Sequence, residues 1–303
     1  MKITGLTNEK IIKRHLLRYK ASPESVKTRR SSLNYFFAHK YFNYNGHISE
    51  ISKSTLVDYF DWLNQLTSIS LSTKKIKWIL LRSLLEFCME YYDDFLIKIP
   101  TKTIQWKINH KEPNSNKDVR LEKKEVKDLL NFMKINHFSY YLIFRIFTET
   151  GMRKGELINI DYDKVNLKKR FIDTHGKRGQ KIYYFSQELK DLLDFYIESR
   201  KLKNYNTKAL FVSKYSQRFS SRPFNIYLKI ITEKIGIEKN ITCKTFRSTL
   251  NTLRKIMGCS NEDRKILINH KTTDVNVNHY INLKWNEFIE LFDKWNPYQN
   301  LQL

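Results

Sequence analysis

Apolar positions in the first hundred residues recur every three or four places. In "SPESVKTRRSSLNYFFAHKYF", Val26, Leu33, Phe36 and Phe37 keep that spacing behind Ser22 as a cap and Pro23 at the first helical position. "SKSTLVDYFDWLNQL" repeats it with Leu56, Tyr59, Phe60 and Leu63. "LSTKKIKWILLRSLLEFCMEYY" places Ile76, Leu80, Leu84, Phe87 and Tyr91 on one face after Ser72. The pattern predicts helices whose apolar stripes form a core. The opposite faces carry Lys27, Arg29, Arg30, Lys74, Lys75 and Lys77, a solvated surface that also suits phosphate.

Pro100 ends this block. Residues 101–120 are polar and charged, with Pro113, Asn114, Ser115 and Asn116 in their middle, and read as a linker. A second block starts at Leu121. Helical spacing covers Lys123 to Ile135 and Tyr140 to Phe147. Short β-prone runs follow around Val165, Phe171–Ile172 and Ile182–Phe185, with "HGKRGQ" as a turn between the last two. Helices resume in "SQELKDLLDFYIESRK", in "RPFNIYLKIITEKIG" with Gly236 as its stop, and in "TCKTFRSTLNTLRKIMG" closed by Gly258. Two shorter ones are expected around Glu262 to Ile268 and around Tyr280, then a tail helix in "NLKWNEFIELFDKW". The expected fold is mainly α with a small antiparallel β-sheet. A helical domain spans 1–100, a linker 101–120, and a second domain with the tail helix 121–303.

Composition adds a partner to this outline. Lys and Arg number 55 against 31 Asp and Glu, so the chain carries a formal charge of +24. Such an excess points to a polyanion, and phosphate rewards clustered cations most. Cys88, Cys243 and Cys259 form no CxxC and no zinc-type cluster with His. A reduced, intracellular setting follows, with the cytoplasm as the expected compartment. No apolar run approaches the ~20 residues of a membrane span, and the N-terminus lacks a secretory apolar region. There is no Gly-rich phosphate loop, so neither a nucleotide cofactor nor a metal is expected.

Several polar residues merit weighing one by one. Arg153, in "TETGMRKGELINI", starts a helix just after Gly151, and taken alone is a surface arginine. Lys244 and Arg247, in "CKTFRSTL", share a helix face near an N-terminus, where free N–H groups already favour anions. Lys177 sits in the hairpin turn between Gly176 and Gly179, which leave room for close backbone approach. His270 follows the apolar "LIN", and Tyr280 lies ten residues later. Each has an ordinary structural explanation by itself.

Their order is more informative than any one of them. "TGMRKGEL", "HGKRG", "KTFR", "INH" and "NVNHYI" resemble the successive boxes of the tyrosine recombinases, the phage integrase family. The resemblance covers Leu121 to about Trp295, and the helical first block is similar to that family's core-binding (SAM-like) DNA domain. It implies a DNA breaking-rejoining enzyme fold in the second domain. It also implies a site-specific recombinase working on double-stranded DNA, with the two domains clamping the duplex. The family usually has His where Lys244 stands here, and some archaeal and viral members are similar in carrying lysine. Lysine keeps a donor but gives up a side chain that titrates near neutrality. "INH" likewise replaces the usual "LGH".

The residue chemistry agrees with the resemblance. In-line attack on a phosphodiester builds negative charge on its oxygens, and preorganised cations stabilise that charge without ATP or a metal. Arg153 and Arg247 offer planar forks to phosphate. Tyrosine is a fitting nucleophile where bond energy must be conserved. A free phenol is only about one part in a thousand ionised at pH 7, so Tyr280 needs nearby cations and His270. The resemblance assigns to Lys177 the proton given to the leaving 5′ oxygen. It also implies a free monomer that assembles into a tetramer on DNA, with no membrane partner. Rival readings are a type IB topoisomerase and a recombinase-like protein that only occupies DNA. Trp285, Phe288, Ile289, Phe292 and Trp295 share one face of the tail helix. That face packs either on its own domain or, as the resemblance implies, on a neighbouring protomer.

Overall fold

A computed structural model describes residues 2–20, 22–97, 119–176, 179–269 and 284–299. The chain divides into two compact units, residues 1–112 and 113–303. The boundary falls in the polar stretch read as a linker.

Four α-helices build the first unit: α1 (Asn8–Leu17), α2 (Pro23–Phe37), α3 (Lys53–Gln65) and α4 (Leu71–Tyr91). Side-chain oxygens of Thr7, Ser52 and Ser70 cap α1, α3 and α4 by accepting from the backbone three residues on. Leu33, Phe36, Leu56, Tyr59 and Leu63 are buried as their spacing predicts. Phe36, Phe42, Tyr59 and Trp62 interlock as tilted, stacked and edge-on rings 5.0–5.8 Å apart.

Helix α4 departs from its predicted face. Its cap is Ser70, two residues before Ser72, and Ile76 and Tyr91 are 49% and 52% exposed. Leu84 and Phe87 of the predicted face are buried, and Trp78, Leu81, Leu85 and Cys88 complete the buried stripe. Lys77 is no member of a solvated face either. Its ammonium lies 3.1 Å from the Tyr35 ring centroid, and burial lowers its pKa. Helix α1 gave no clear signal in sequence, because the buried turn Ile11–His15–Leu16 carries a histidine in its middle.

The second unit is built around α6 (Phe138–Thr150), in which every residue from Tyr141 to Thr150 is buried. Helices α5 (Lys123–Asn136), α8 (Gln187–Leu202) and α10 (Cys243–Ile256) pack against it. A buried Arg145–Glu149 pair, 2.6 Å, lies on α6 itself. Glu149 also accepts from the backbone N–H and the hydroxyl of Ser186 at 2.9 and 3.0 Å. Ser186 caps α8, so this carboxylate fixes where α8 starts beside α6. Strands β1 (Val165–Asn166), β2 (Phe171–Gly176) and β3 (Gly179–Tyr184) form an antiparallel sheet in the order β1-β2-β3. Short α7 (Lys154–Ile158), α9 (Arg222–Lys234), α11 (Asn261–Leu267) and α12 (Trp285–Lys294) complete the described α-helices. The helix expected around Tyr280 lies outside the described residues.

Helix α12 is seated on its own unit. Phe292 is buried with Cys259 and Leu267, and Phe288 stacks on Tyr184 at 5.3 Å. Arg170 makes a two-pronged pair with Asp293, and the buried Arg254 donates to the Trp295 carbonyl at 3.2 Å. Tyr298 enters the main core. Of the tail face, Phe288 and Phe292 pack on this unit, whereas Trp285 is 48% exposed. Among the described residues, no helix is long and apolar enough to cross a membrane.

His15 makes the first unit sensitive to acid. It is 1% exposed, and neither ring nitrogen has a hydrogen-bond partner. Burial first, then the charges of Arg29 and Arg18, lowers its pKa from 6.5 to about 4. The folded value lies below the unfolded one. Its contribution is therefore complete above pH ~6.5 and is lost as pH falls towards 4. Hydrogen exchange of the α1–α4 amides in the full chain will show stability falling by a few kcal/mol across that window. His15→Leu will remove most of the slope; an unchanged slope would show that other groups set it.

Candidate active site

The apolar run of α6 stops at Gly151, whose φ of +61° is the left-handed conformation glycine adopts most easily. There is also little room for a side chain, since an added Cβ would lie 3.1 Å from Leu250 Cδ2. Two residues later Arg153 caps α7. Its backbone N–H donates to Glu156 Oε2 at 2.8 Å, and its guanidinium donates to Glu156 Oε1 at 3.0 Å. The Arg153 side chain is 52% exposed, whereas Glu156 is only 4% exposed. Tyr183, buried on β3, adds a third donor to that carboxylate through its hydroxyl, 2.7 Å from Oε2. Gly176 at the end of β2 closes the cradle, because an added Cβ would sit 2.8 Å from Glu156 Oε1.

Arg247 arrives from the first turns of α10. It donates to the Gly151 carbonyl at 2.7 Å and to the Ile268 carbonyl at 2.9 Å. Burial lowers its pKa, and the positive charge of Arg153 acts in the same direction. Tyr183 and Glu156 oppose this shift, which places all four groups in one electrostatic neighbourhood. Lys244, three residues earlier, is exposed near the N-terminus of the same helix. That end is held by reciprocal Thr242–Thr245 contacts and by Asn225 of α9, whose side-chain oxygen accepts from the Cys243 N–H at 3.1 Å.

Described residues also flank the predicted site residues that lie outside the description, namely Lys177, His270 and Tyr280. Gly176, before Lys177, pairs with Gly179 across the hairpin and rests on Glu156. Asn269, before His270, adopts φ +51° and is tied to β3. Its carbonyl accepts from the Lys181 ammonium at 3.0 Å, and its side chain donates to the Ile182 carbonyl. The chain thus leaves towards Lys177 and towards His270 from fixed points, Gly176 against Glu156 and Asn269 on β3.

Four contributors escaped the sequence reading: Glu156, Tyr183, Lys181 and Asn269. Only Glu156 had a usable signal, standing three residues after Arg153 at capping-box spacing. Two guanidiniums thus share one electrostatic neighbourhood, and planar forks of this kind suit phosphate oxygens.

The profile of the phage integrase family matches residues 119–287. Tyrosine recombinase XerD of Staphylococcus saprophyticus is 29% identical over 219 residues, 67% of this chain and 72% of that protein. Tyrosine recombinase XerC of Thermodesulfovibrio yellowstonii is 25% identical over 165 residues, and the chain spans 54% of its length. Two solved structures share the fold. The Tn1549 transposon integrase in complex with transposon right end DNA has a TM-score of 0.67 at 13% identity, covering 93% of this chain and 97% of that one. XerH site-specific recombinase in a post-cleavage complex with palindromic difH has a TM-score of 0.65 at 18% identity, covering 90% and 76%.

Gly151 links the end of α6 to Arg247, so a side chain there should be felt. Gly151→Ala combines left-handed strain with the Leu250 contact and will lower unfolding stability by about 2 kcal/mol, read by urea denaturation. A variant as stable as the parent would show that this turn relaxes freely.

Proposed function

The chain belongs to the phage integrase family, and from that premise we propose that it is a site-specific DNA recombinase acting through a covalent 3′-phosphotyrosine. The observation that carries the reading is the joint anchoring of Arg153 and Arg247. One is held by a buried carboxylate and the other by two backbone carbonyls. A phosphate contact made by groups fixed in advance needs no reorganisation as charge develops. Arg153 and Arg247 take the non-bridging oxygens, with Lys244 adding a third cation. His270 assists at the same phosphate, and Lys177 gives the leaving 5′ oxygen its proton.

Tyr280 is the nucleophile in this reading. Tyr183 also lies in the arginine network, but its hydroxyl is spent as a donor to Glu156. Burial first, and then the Glu156 charge, raises its pKa further, so it resists becoming an oxyanion. Attack by Tyr280 joins its oxygen to phosphorus and releases the 5′ hydroxyl. A second DNA hydroxyl then reverses the step and reseals the strand, with no external energy source. The first unit acts as the core-binding domain, and its cations spread along the duplex backbone supply affinity. A free monomer assembling as a tetramer on paired DNA sites, in the cytoplasm, completes the proposal.

Tyr280→Phe tests it. A nicked suicide substrate incubated with the parent chain will give a protein–DNA adduct that survives a denaturing gel. The phenylalanine variant will bind duplex DNA within about twofold of the parent and form none, since binding is distributed over many cations. An adduct from that variant would move the nucleophile elsewhere. Supercoil relaxation by the monomer without strand exchange would favour the topoisomerase reading, and binding with no adduct from the parent would favour an occupancy-only protein.

A further inference from the structure

We infer that Tyr183 is a positioning residue for strand cleavage, one phenol that locks the carboxylate holding Arg153 while lying beside Arg247. The inference rests on the recombinase reading and deepens it.

Tyr183 pairs with Ile172 across the sheet, and its ring is buried, so packing alone would be served equally well by phenylalanine. The hydroxyl is what the site uses. The Glu156 carboxylate has two other bonds, and both come from the residue it must hold, the Arg153 N–H and guanidinium. Bonds within one turn leave the carboxylate free to change rotamer together with the Arg153 guanidinium. A third donor from a different element, at 2.7 Å, removes that freedom. Gly176 leaves room for the opposite oxygen, since an added Cβ would lie 2.8 Å from Glu156 Oε1.

The same phenol also bears on the second arginine. Each of Tyr183 and Arg247 perturbs the ionisation of the other, which places them side by side. Arg247 is itself tied to α6 and to the end of α11 through the Gly151 and Ile268 carbonyls. Tyr183 therefore sits where the α7 arm and the α10 arm of the site meet. It touches neither the scissile phosphate nor the leaving group. Its effect is on the spacing of two guanidiniums, and small errors in such spacing cost reaction rate far more than affinity.

Tyr183→Phe separates this role from packing. On a phosphodiester suicide substrate the variant will form adduct about 10- to 100-fold more slowly than the parent. Its affinity for uncleaved duplex will stay within about twofold. Both proteins are then given the same substrate with a methylphosphonate at the scissile position. That group is neutral, so exact placement of the two arginines matters less, and the difference in rate will shrink to a few-fold. A variant that cleaves the phosphodiester at the parental rate overturns the inference. A loss of equal size on both substrates, as a misfolded protein would give, assigns Tyr183 to packing and overturns it too. If the parent chain forms no adduct at all, the recombinase reading itself fails, and the inference falls with it.

Discussion

A carboxylate taken out of water must be given donors, and Glu156 obtains all of its observed donors from the groups that make up the candidate site. The fold therefore has a strong reason to bring the start of α7, the end of β2 and the middle of β3 to one point. In the proposed function, the phosphate is met there by Arg153 and Arg247 together. Arg247 is placed by a separate set of bonds, so the two cations are not simply neighbours on one helix face. Helix α6 supplies the common reference, with its left-handed Gly151 turn serving both the route to Arg153 and the carbonyl that holds Arg247.

Two kinds of positive charge coexist in this chain. Most of the 55 Lys and Arg residues raise the potential seen by a polyanion without needing exact placement. A few are fixed by partners, and these carry structural or chemical roles. Arg145 and Arg254 are buried inside the second unit, the former paired with Glu149 and the latter bonded to the carbonyls of Glu149 and Trp295. Lys77 in the first unit is held over an aromatic ring. Arg153 and Arg247 combine both features, anchored at one edge yet part of an accessible cationic site. This split explains why affinity and reaction rate should respond to different substitutions.

Much of the fold was legible because most helices of the chain carry apolar stripes and explicit stops. Gly151, Gly236 and Gly258 mark helix ends in sequence and adopt positive φ in the structure. The failures have physical causes. Helix α1 hides its stripe behind His15, and α4 offers more apolar residues than its core face needs, leaving Ile76 and Tyr91 outside. Ser70 and Ser72 are equally good caps by residue type, and only the geometry selects Ser70. The tail shows another limit, since an amphipathic face does not say which surface it covers. Within the site, Arg153, Lys244 and Arg247 were visible only through the order of short motifs. In sequence Tyr183 looks like one more strand residue, because the bond that matters joins it to a carboxylate 27 positions away.

The central claim is that this preassembled arginine pair serves Tyr280. The most direct measurement is to trap the adduct on a suicide substrate, digest it with nuclease and trypsin, and locate the nucleotide-bearing peptide by mass spectrometry. The modified peptide should run from Thr272 to Lys284, where Tyr280 is the single tyrosine. A nucleotide mapped to Tyr183 or to any other residue, or an unmodified digest from a protein that binds its substrate, would contradict the account.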